Sequence, residues 1–228
     1  MKVLVDYRMK KIYLDYFKEK GFECIKVKSD DVYAEVSGHP DIFFTVINGE
    51  LFKAKNVNIS HKVNVVLGEN VEKCYPSTAK YNICVNNKYA IGNFKYVEKS
   101  VKEMLEKGTL EMINVNQGYT RCSLFSIDEN HYITSDLGIK KVLEEKGLKV
   151  IFVENDNIKL LGKDGNYSNM QGFIGGALAK IGAEIILFGD ISKLKNGEKL
   201  RKYITSLGYS FKYFENEDII DYGSVIVI

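Results

Sequence analysis

Three residues whose side chains can carry out nucleophilic and proton-transfer chemistry stand at the starts of two apolar runs. Cys122 opens the run CSLFSI, and His39 and Asp41 lie in the turn that leads into IFFTVI. A thiolate can attack an electrophilic carbon, a histidine can transfer a proton, and a carboxylate can orient the histidine or bind substrate. These residue types predict a centre with Cys122 as nucleophile, His39 as general acid and base, and Asp41 as the orienting or substrate-binding group.

For each of these three residues a purely structural role is an alternative, and the sequence leaves both roles open. A cysteine that begins an apolar strand is often a buried and inert thiol. His39 lies in the turn-rich run Ser-Gly-His-Pro-Asp, where a capping role is an equal alternative, and Asp41 is a common turn residue. His61 and His131 fall in a polar segment and a hairpin turn, which predicts surface positions.

One local pattern recurs four times: a helical stretch ends in a glycine, and a strand follows at once. The glycines are Gly21, Gly108, Gly147 and Gly208. Each stands where the C-terminus of a helix favours positive φ. The helices are predicted at about 9–20, 96–107, 137–146 and 195–207. β-Hairpins with polar turns are predicted at 42–55, 81–92, 122–135 and about 175–189.

The repeating unit is therefore a hairpin, a helix and a strand, and its length is close to constant. Gly108 and Gly147 lie about 40 residues apart, within the range of roughly 20–50 residues that is typical of repeat architectures. The interval from Gly21 to Gly108 is about twice as long and so spans two units. The longer interval from Gly147 to Gly208 is one unit with a polar insertion, ENDNIKLLGKDGNYSNMQ.

The two terminal strands complete the fifth unit. SVIVI at 224–228 is a spare strand that can pair with KVLVD at 2–6, and the interval through both termini is then again one unit long. Repetition that closes on its own ends predicts a ring without an exposed edge. We predict an α/β fold, a five-fold pseudosymmetric propeller in one domain, 1–228. Its units are 224–228 plus 1–28, 41–67, 81–115, 122–153 and 172–214. The alternative is a doubly wound sheet of βαβ units.

A ring of five hairpin-helix-strand units resembles the pentein, or α/β-propeller, fold. Two branches are similar in pattern. One is the guanidino-group-modifying enzymes (arginine deiminase, agmatine deiminase, dimethylarginine hydrolase and amidinotransferase), and the other is the non-catalytic ribosomal anti-association factor of the archaeal and eukaryotic type. Four motifs also resemble a bacterial domain family of unknown function over nearly the whole chain: His39-Pro40-Asp41, GYTRC at 118–122, GFIGGA at 172–177 and DYGS at 221–224.

The resemblance to the enzymes implies a set of site residues. In those enzymes a His-x-Asp opens one unit, an Asn-containing start opens the next, and the nucleophilic Cys opens the one after. That order implies catalytic roles for Cys122, His39 and Asp41 and substrate-binding roles for Asn82, Asp221 and Arg121. Arg121 either lowers the pKa of Cys122 or faces the opposite side of the strand. If Arg121 faced the channel, it would suit an anionic substrate.

We therefore expect a cysteine-dependent hydrolase or transferase that acts on a guanidino or amidino small molecule without a cofactor or a metal ion. The alternative is a non-catalytic binding protein for a ligand, a protein or the ribosome. A second carboxylate motif and the long insertions of the deiminases are missing, and the length of 228 residues is near that of the ribosomal factor.

Composition and charge argue against several other classes. Apolar residues make up 45% and charged residues 27%, as in an average soluble protein. Of 32 basic residues only three are Arg, and the lysines alternate with Glu in helices, so no nucleic-acid partner is expected. The apolar runs are far shorter than the ~20 residues of a membrane span, and no signal peptide is evident, so we expect a cytoplasmic protein. The oligomeric state is not indicated.

Cofactor and metal motifs are also absent from the sequence pattern. The four cysteines form no C-x-x-C pair and only three histidines exist, which gives no spacing for structural zinc. The run GFIGGALAKIG does not match G-x-G-x-x-G, and no clear strand precedes it. We interpret it as a tight turn that lets backbone segments approach one another.

Overall fold

The computed structural model describes residues 1–61 and 63–228. Its helices, in chain order, are α1 (Lys11–Glu19), α2 (Pro40–Phe43), α3 (Lys99–Lys107), α4 (Thr120–Ser123), α5 (Leu137–Glu145), α6 (Ile174–Ala177) and α7 (Gly197–Ser206). Its strands are β1 (Lys2–Asp6), β2 (Glu23–Val27), β3 (Phe44–Ile47), β4 (Glu50–Ala54), β5 (Val66–Gly68), β6 (Cys84–Val85), β7 (Tyr89–Gly92), β8 (Glu111–Asn114), β9 (Leu124–Ser126), β10 (His131–Thr134), β11 (Lys149–Phe152), β12 (Lys159–Leu161), β13 (Tyr167–Gln171), β14 (Leu178–Ile181), β15 (Glu184–Leu187), β16 (Ser210–Lys212) and β17 (Ile226–Val227).

Within the described residues, the strands form five three-stranded sheets with one common topology. In each sheet a central strand pairs antiparallel with one neighbour and parallel with the other. The sheet orders are β17-β1-β2, β3-β4-β5, β6-β7-β8, β9-β10-β11 and β14-β15-β16. The chain is therefore α/β, as predicted, and the four predicted hairpins are confirmed. The arrangement of the sheets as a ring with five-fold symmetry stays a prediction.

The first sheet joins the two ends of the chain. β1 pairs with β17 in the register Val3↔Val227 and Leu4↔Ile226. The backbone groups of Lys2 and Ile228 add two hydrogen bonds of 3.1 and 2.9 Å. The predicted pairing of the terminal strands is confirmed.

Four longer helices, α1, α3, α5 and α7, each connect a central strand to its parallel neighbour. Each buries two apolar residues four positions apart, so that one face of the helix packs on the sheets; the pairs are Tyr13 and Phe17, Val101 and Leu105, Ile139 and Leu143, and Leu200 and Ile204. Burial of each side chain stabilises the fold by roughly 1.5–3 kcal/mol. None of the helices in the described part of the chain has the length and hydropathy needed to cross a membrane.

The helix ends show one departure from the predicted glycine pattern. Gly21, Gly147 and Gly208 have φ of +82°, +78° and +86°, as expected after a helix C-terminus. Gly108 has φ −88° and is extended, so that prediction is wrong. The physical reason is its position: Gly108 is itself the capping residue, donates its N–H to Leu105, and continues directly toward β8.

Two further expectations are corrected by local structure. The polar insertion contains the hairpin β12–β13, and β13 ends directly before Gly172, so a strand does precede GFIGGA. Cys122 does not begin a strand, because it lies in α4, a single helical turn before β9. The turns α2 and α6 precede β3 and β14 in the same way. Such turns are too short to produce a helical period in a sequence.

Candidate functional site

The single-turn helices α2 and α4 bring the predicted nucleophile, base and carboxylate together. His39 immediately precedes α2, Asp41 lies within it, and Cys122 lies in α4. One side-chain donor atom from each of the three residues lies within 4.8 Å of the others, and all three residues are buried. Residues 81 positions apart in sequence therefore meet at one centre.

Asn82 binds the thiol of Cys122 and the backbone of Asp41. The Cys122 thiol donates to Asp41 Oδ2 at 3.0 Å, and Asn82 Nδ2 donates to Cys122 Sγ at 3.2 Å and to the Asp41 carbonyl at 3.1 Å. Asn82 Oδ1 accepts from the backbone N–H groups of Arg121 and Cys122 at 2.8 and 3.2 Å. The side chain of Asn82 thus uses both its donor and its acceptor to join α2 to α4.

His39 lies between two further carboxylates. Its Nδ1 is 3.7 Å from Asp221 Oδ1, and its Nε2 is 3.9 Å from Asp6 Oδ2. Neither ring nitrogen has a hydrogen-bond partner among the described residues. Burial, followed by the charge of Arg8, lowers the pKa of His39 well below its usual value, so the imidazole is neutral. A neutral imidazole carries a proton on one ring nitrogen and can accept a second proton on the other.

Asp221 is buried beside His39 and bound by backbone donors. Its carboxylate accepts from the N–H groups of Phe173 and Gly223, both at 2.9 Å. Burial, followed by the charge of Asp41, raises the pKa of Asp221 to about 8. A side-chain carbon at Gly176 would overlap this carboxylate. This close approach explains a glycine in GFIGGA and fits the predicted tight turn.

A buried ion pair between Arg8 and Asp6, which sequence analysis missed, lies beside His39. Arg8 binds Asp6 with Nε and Nη2 at 3.0 and 2.6 Å, and both side chains are almost fully buried. Burial raises the pKa of Asp6, and the contacts of Arg8 oppose that shift. The available signal was a charged pair at the end of an apolar strand, VLVDYR, in a chain with only three arginines.

The protonation of the centre follows from its burial. Burial first, and then the charges of Asp41 and Asp221, raise the pKa of Cys122 well above its usual value. Burial also raises the pKa of Asp41, against the hydrogen bond from Cys122. The resting centre therefore holds a neutral thiol that donates to Asp41. A positive charge placed near Asp41 and Asp221 would oppose their effect and favour the thiolate.

Arg121 is placed differently from the other predicted site residues. Its backbone belongs to the Asn82 contacts, but its guanidinium lies 3.5 Å from both Ser224 Oγ and the Val225 carbonyl. The same side chain lines an open cavity of about 580 Å³. Its charge is not among the causes of the shifted pKa of Cys122.

Three hydroxyl side chains that sequence analysis did not single out lie next to the centre. Tyr33 donates to Tyr119 across 3.0 Å, and Tyr119 is 2.5 Å from Thr78 Oγ1. Burial raises the pKa of Tyr119, and the charges of Cys122 and Asp41 act in the same direction. These side chains come from loops that are far apart in sequence, which is why no local motif marks them.

The remaining histidines are in neither a site nor a fully exposed position. His61 and His131 keep 33% and 26% of their side-chain surface exposed, which agrees with the predicted surface positions. Each pairs with a carboxylate, Glu23 or Asp128.

A metal ion would find suitable donor types at the same centre. His39, Asp41 and Cys122 offer an imidazole, a carboxylate and a thiol, which are the donors that zinc takes in proteins. The short contact between Cys122 and Asp41 is a hydrogen bond that uses the thiol proton. A centre without metal stays a prediction.

Comparison with known proteins gives one match along nearly the whole chain. Residues 4–226 match the model of DUF6873, a family of unknown function. No curated protein matches.

Two solved structures are similar in part. Agmatine deiminase of C. jejuni is 14% identical with a TM-score of 0.47, over 92% of this chain and 73% of that chain. A dimethylarginine dimethylaminohydrolase variant, solved as an adduct with S-methyl-L-thiocitrulline, is 13% identical with a TM-score of 0.31, over 66% of this chain and 74% of that chain. Both TM-scores are too low to establish the fold or the function.

Proposed function

The chain belongs to the family of unknown function DUF6873, and from its site we propose that it is a cysteine-dependent hydrolase or transferase of guanidino or amidino compounds. The observation that carries this proposal is the meeting of Cys122, Asp41 and His39 within 4.8 Å in one buried, carboxylate-rich centre. Nucleophile, carboxylate and proton acceptor are the groups that such a reaction needs.

The charge of the centre favours a cationic substrate. Asp6 is paired with Arg8, but in the described part of the chain neither Asp41 nor Asp221 has a lysine or arginine within 4 Å. Burial, followed by the charge of Asp41, raises the pKa of Asp221 to about 8, so Asp221 keeps its proton at neutral pH when no cation is bound. A planar amidinium or guanidinium would lower that pKa, and both carboxylates would then bind it through paired hydrogen bonds.

The same substrate would activate the nucleophile. With the cation bound, the charges that raise the pKa of Cys122 are compensated, and its proton passes to Asp41, 3.0 Å away. The thiolate forms a C–S bond to the substrate carbon, the C–N bond breaks, and the amine leaves with the proton from Asp41. Water then forms a C–O bond as the C–S bond breaks. His39 takes the proton of that water and returns it to Cys122.

The ring predicted from the repeat is part of this proposal. A single pentein-like domain with five units around one axis would place the starts of its inner strands at a central channel. Support comes from the cavity beside Arg121, whose lining includes residues of β3, β6, β9, β14 and β17, one strand from each of the five sheets.

Alkylation kinetics with a charged and a neutral reagent test the proposal. 2-Chloroacetamidine carries an amidinium, and chloroacetamide is its neutral counterpart; each rate is normalised to the rate with glutathione. We expect Cys122 in native protein to react at least tenfold faster with the amidinium reagent, as measured by peptide mass spectrometry. Ammonia or amine release from agmatine, dimethylarginine and simple amidines is measured in parallel and is expected to disappear in Cys122→Ser.

Cys84 provides the matched control, because its thiol is as buried as that of Cys122. Cys84→Ser is expected to keep the reactivity of Cys122 and any turnover. If Cys122 reacts with either reagent only after unfolding, as Cys84 should, and no guanidine or amidine is turned over, the enzymatic proposal is wrong.

The second candidate is a non-catalytic protein that binds a partner or a small ligand. The observation in its favour is the burial of the centre: Cys122 is 3% exposed and Asp41 is fully buried. In that case the contacts of Asn82 would serve only to fix α2 against α4. The same experiment separates the two candidates, since a structural cluster has no reason to prefer a cationic reagent.

A further inference from the structure

The open cavity beside Arg121 is the feature that the proposed reaction does not use. Its volume is about 580 Å³, within the range of about 300–1,000 Å³ that small-molecule sites occupy. One strand from each sheet contributes to its wall, through Val46, Val85, Ser126, Lys180 and Val227 among others. Cys122, His39 and Asp41 are not among its lining residues.

Charges of both signs line this cavity and come from different elements. Arg121 lies in α4, beside Val225 at the approach to β17. The acidic residues Asp128 and Glu129 belong to the turn between β9 and β10, next to the exposed Asn130. Asp128 is already engaged, because it accepts hydrogen bonds from the backbone and ring of His131.

Arg121 has hydrogen-bonding capacity to spare. Its two contacts, to Ser224 Oγ and to the Val225 carbonyl, are both 3.5 Å long and made by one nitrogen, Nη2. Such long contacts are weak. A guanidinium offers five N–H donors in a planar fork that matches carboxylate and phosphate oxygens in pairs. Lys180 supplies a second positive charge on the wall, where it donates to the Ile127 carbonyl.

We propose that this cavity binds a small-molecule anion through a phosphate or carboxylate group held by Arg121, with Lys180 as a second contact. This site is distinct from the cysteine centre, whose carboxylates would repel an anion. The two proposed sites, which depend on the adjacent residues Arg121 and Cys122 of α4, would then have opposite charge preferences. The inference does not depend on catalysis by Cys122.

The two sites are connected through Asn82. The backbone N–H of Arg121 donates to Asn82 Oδ1, and the same side chain donates to Cys122 Sγ. Burial raises the pKa of Asp41, and the charge of Arg121 opposes that rise. Neutralisation of Arg121 by a bound anion would therefore raise the pKa of Asp41, so that occupancy of the cavity changes the state of the cysteine centre.

Isothermal titration calorimetry with inorganic phosphate and with citrate, each in low-salt buffer, tests the anion site. We expect saturable binding of at least one of the two to the wild-type protein, and their relative affinity distinguishes a phosphate from a carboxylate ligand. Arg121→Gln is expected to weaken that binding at least tenfold. Arg201→Gln is the matched control, because it removes the same charge from an exposed arginine that is paired with Glu198, and it should bind as wild type does.

Two more variants keep the result decisive. Cys122→Ser should bind the anion with unchanged affinity, which separates this proposal from the enzymatic one. Lys180→Gln should weaken binding by a smaller factor, about two- to fivefold, and it decides the question if Arg121→Gln fails to fold. Absence of saturable binding in wild type, or equal affinities in wild type, Arg121→Gln and Lys180→Gln, would overturn the anion site.

Discussion

The two buried cysteines, Cys84 in β6 and Cys122 in α4, have nearly the same exposure and very different surroundings. Cys84 lies in β6, within an apolar cluster that includes Ile91 and Leu124, and burial raises its pKa to about 11. Cys122 contacts a carboxylate and an amide, and two carboxylate charges add to the effect of burial on its pKa. Burial alone therefore does not separate a packing thiol from a candidate nucleophile, whereas the polar partners do.

The comparison also concerns stability. Buried polar groups cost free energy unless each is hydrogen-bonded, and a network that is fully bonded fixes one arrangement of the chain. Around Cys122 the requirement is met only in part: Asn82 binds the thiol and two backbone N–H groups, whereas Asp41 Oδ1 and both ring nitrogens of His39 have no hydrogen-bond partner among the described residues. Cys84 lies among apolar neighbours. The two regions should therefore respond differently to the loss of one side chain.

The largest expected effect is that of Asn82→Ala. This change removes the acceptor for two backbone N–H groups, the buried one of Cys122 and the part-buried one of Arg121, and leaving a buried donor unsatisfied costs about 1–3 kcal/mol. We expect a loss of roughly 3–5 kcal/mol in the free energy of unfolding, measured by urea denaturation. Cys84→Ala, which takes one atom from an apolar core, should cost only about 1 kcal/mol. Equal losses in the two variants would contradict the distinction between the regions.

The pH dependence of stability tests the charge of the Cys122 region. The pKa of Asp221 is about 8 in the folded protein, against an ordinary value of 3.8. Between these values the unfolded chain has lost the proton that the folded protein keeps, so this group makes stability fall as pH rises from about 4 to about 8. Asp221→Asn lacks that effect. The difference obtained by subtracting the free energy of unfolding of the wild type from that of Asp221→Asn should rise by about 3 kcal/mol between pH 5 and pH 7, at roughly 1.4 kcal/mol per pH unit.

Asp190→Asn is the control for that measurement. Backbone hydrogen bonds from Asn216 and Ser192 lower the pKa of Asp190, so its contribution to stability is present above the ordinary value of 3.8 and is lost only at lower pH. The difference between Asp190→Asn and wild type should stay constant from pH 5 to pH 7. If Asp221→Asn behaves in the same flat way, its carboxyl is not held protonated.

The smallest expected effect is a change in the alkylation rate of Cys122, but not of Cys84, in the variant Asp41→Asn. Asp41→Asn removes a negative charge beside Cys122 and should lower the pKa of that thiol, since the charge of Asp41 raises it. We expect about tenfold faster alkylation of Cys122 by chloroacetamide at pH 8.5, which corresponds to one pKa unit, with no change at Cys84. Turnover of a cationic substrate should fall in the same variant. A rate at Cys122 that is unchanged or slower would show that Asp41 does not govern the thiol.

Much of the fold could be predicted because its signals are local. Helix ends marked by Gly21, Gly147 and Gly208, and hairpins such as the one through Asn48-Gly49, are properties of a few adjacent residues. The pairing of the terminal strands followed from the interval of the repeat, not from any contact visible in the sequence. His39, Asp41, Asn82 and Cys122 were found together because each stands at the start of a unit.

The rest depends on contacts between distant segments. Arg8 reaches Asp6 locally, but its burial requires the carbonyls of Ala34 and Leu161, which no pattern in the sequence connects. The same holds for Tyr119, whose partners Tyr33 and Thr78 come from other loops. The direction of the Arg121 side chain depends on the conformation of a single helical turn, and a sequence of four residues does not determine it.

The pairing of β1 with β17 also has a consequence for the order of events during synthesis. Almost the whole length of the described chain separates these two strands, so a ribosome makes β17 long after β1. At about 5–20 residues per second, β1 waits roughly 10–45 seconds for its antiparallel neighbour. During that interval the β1–β2 pair has an open edge to which another strand could add. Pairing with β17 is thus the step that closes this edge of β1.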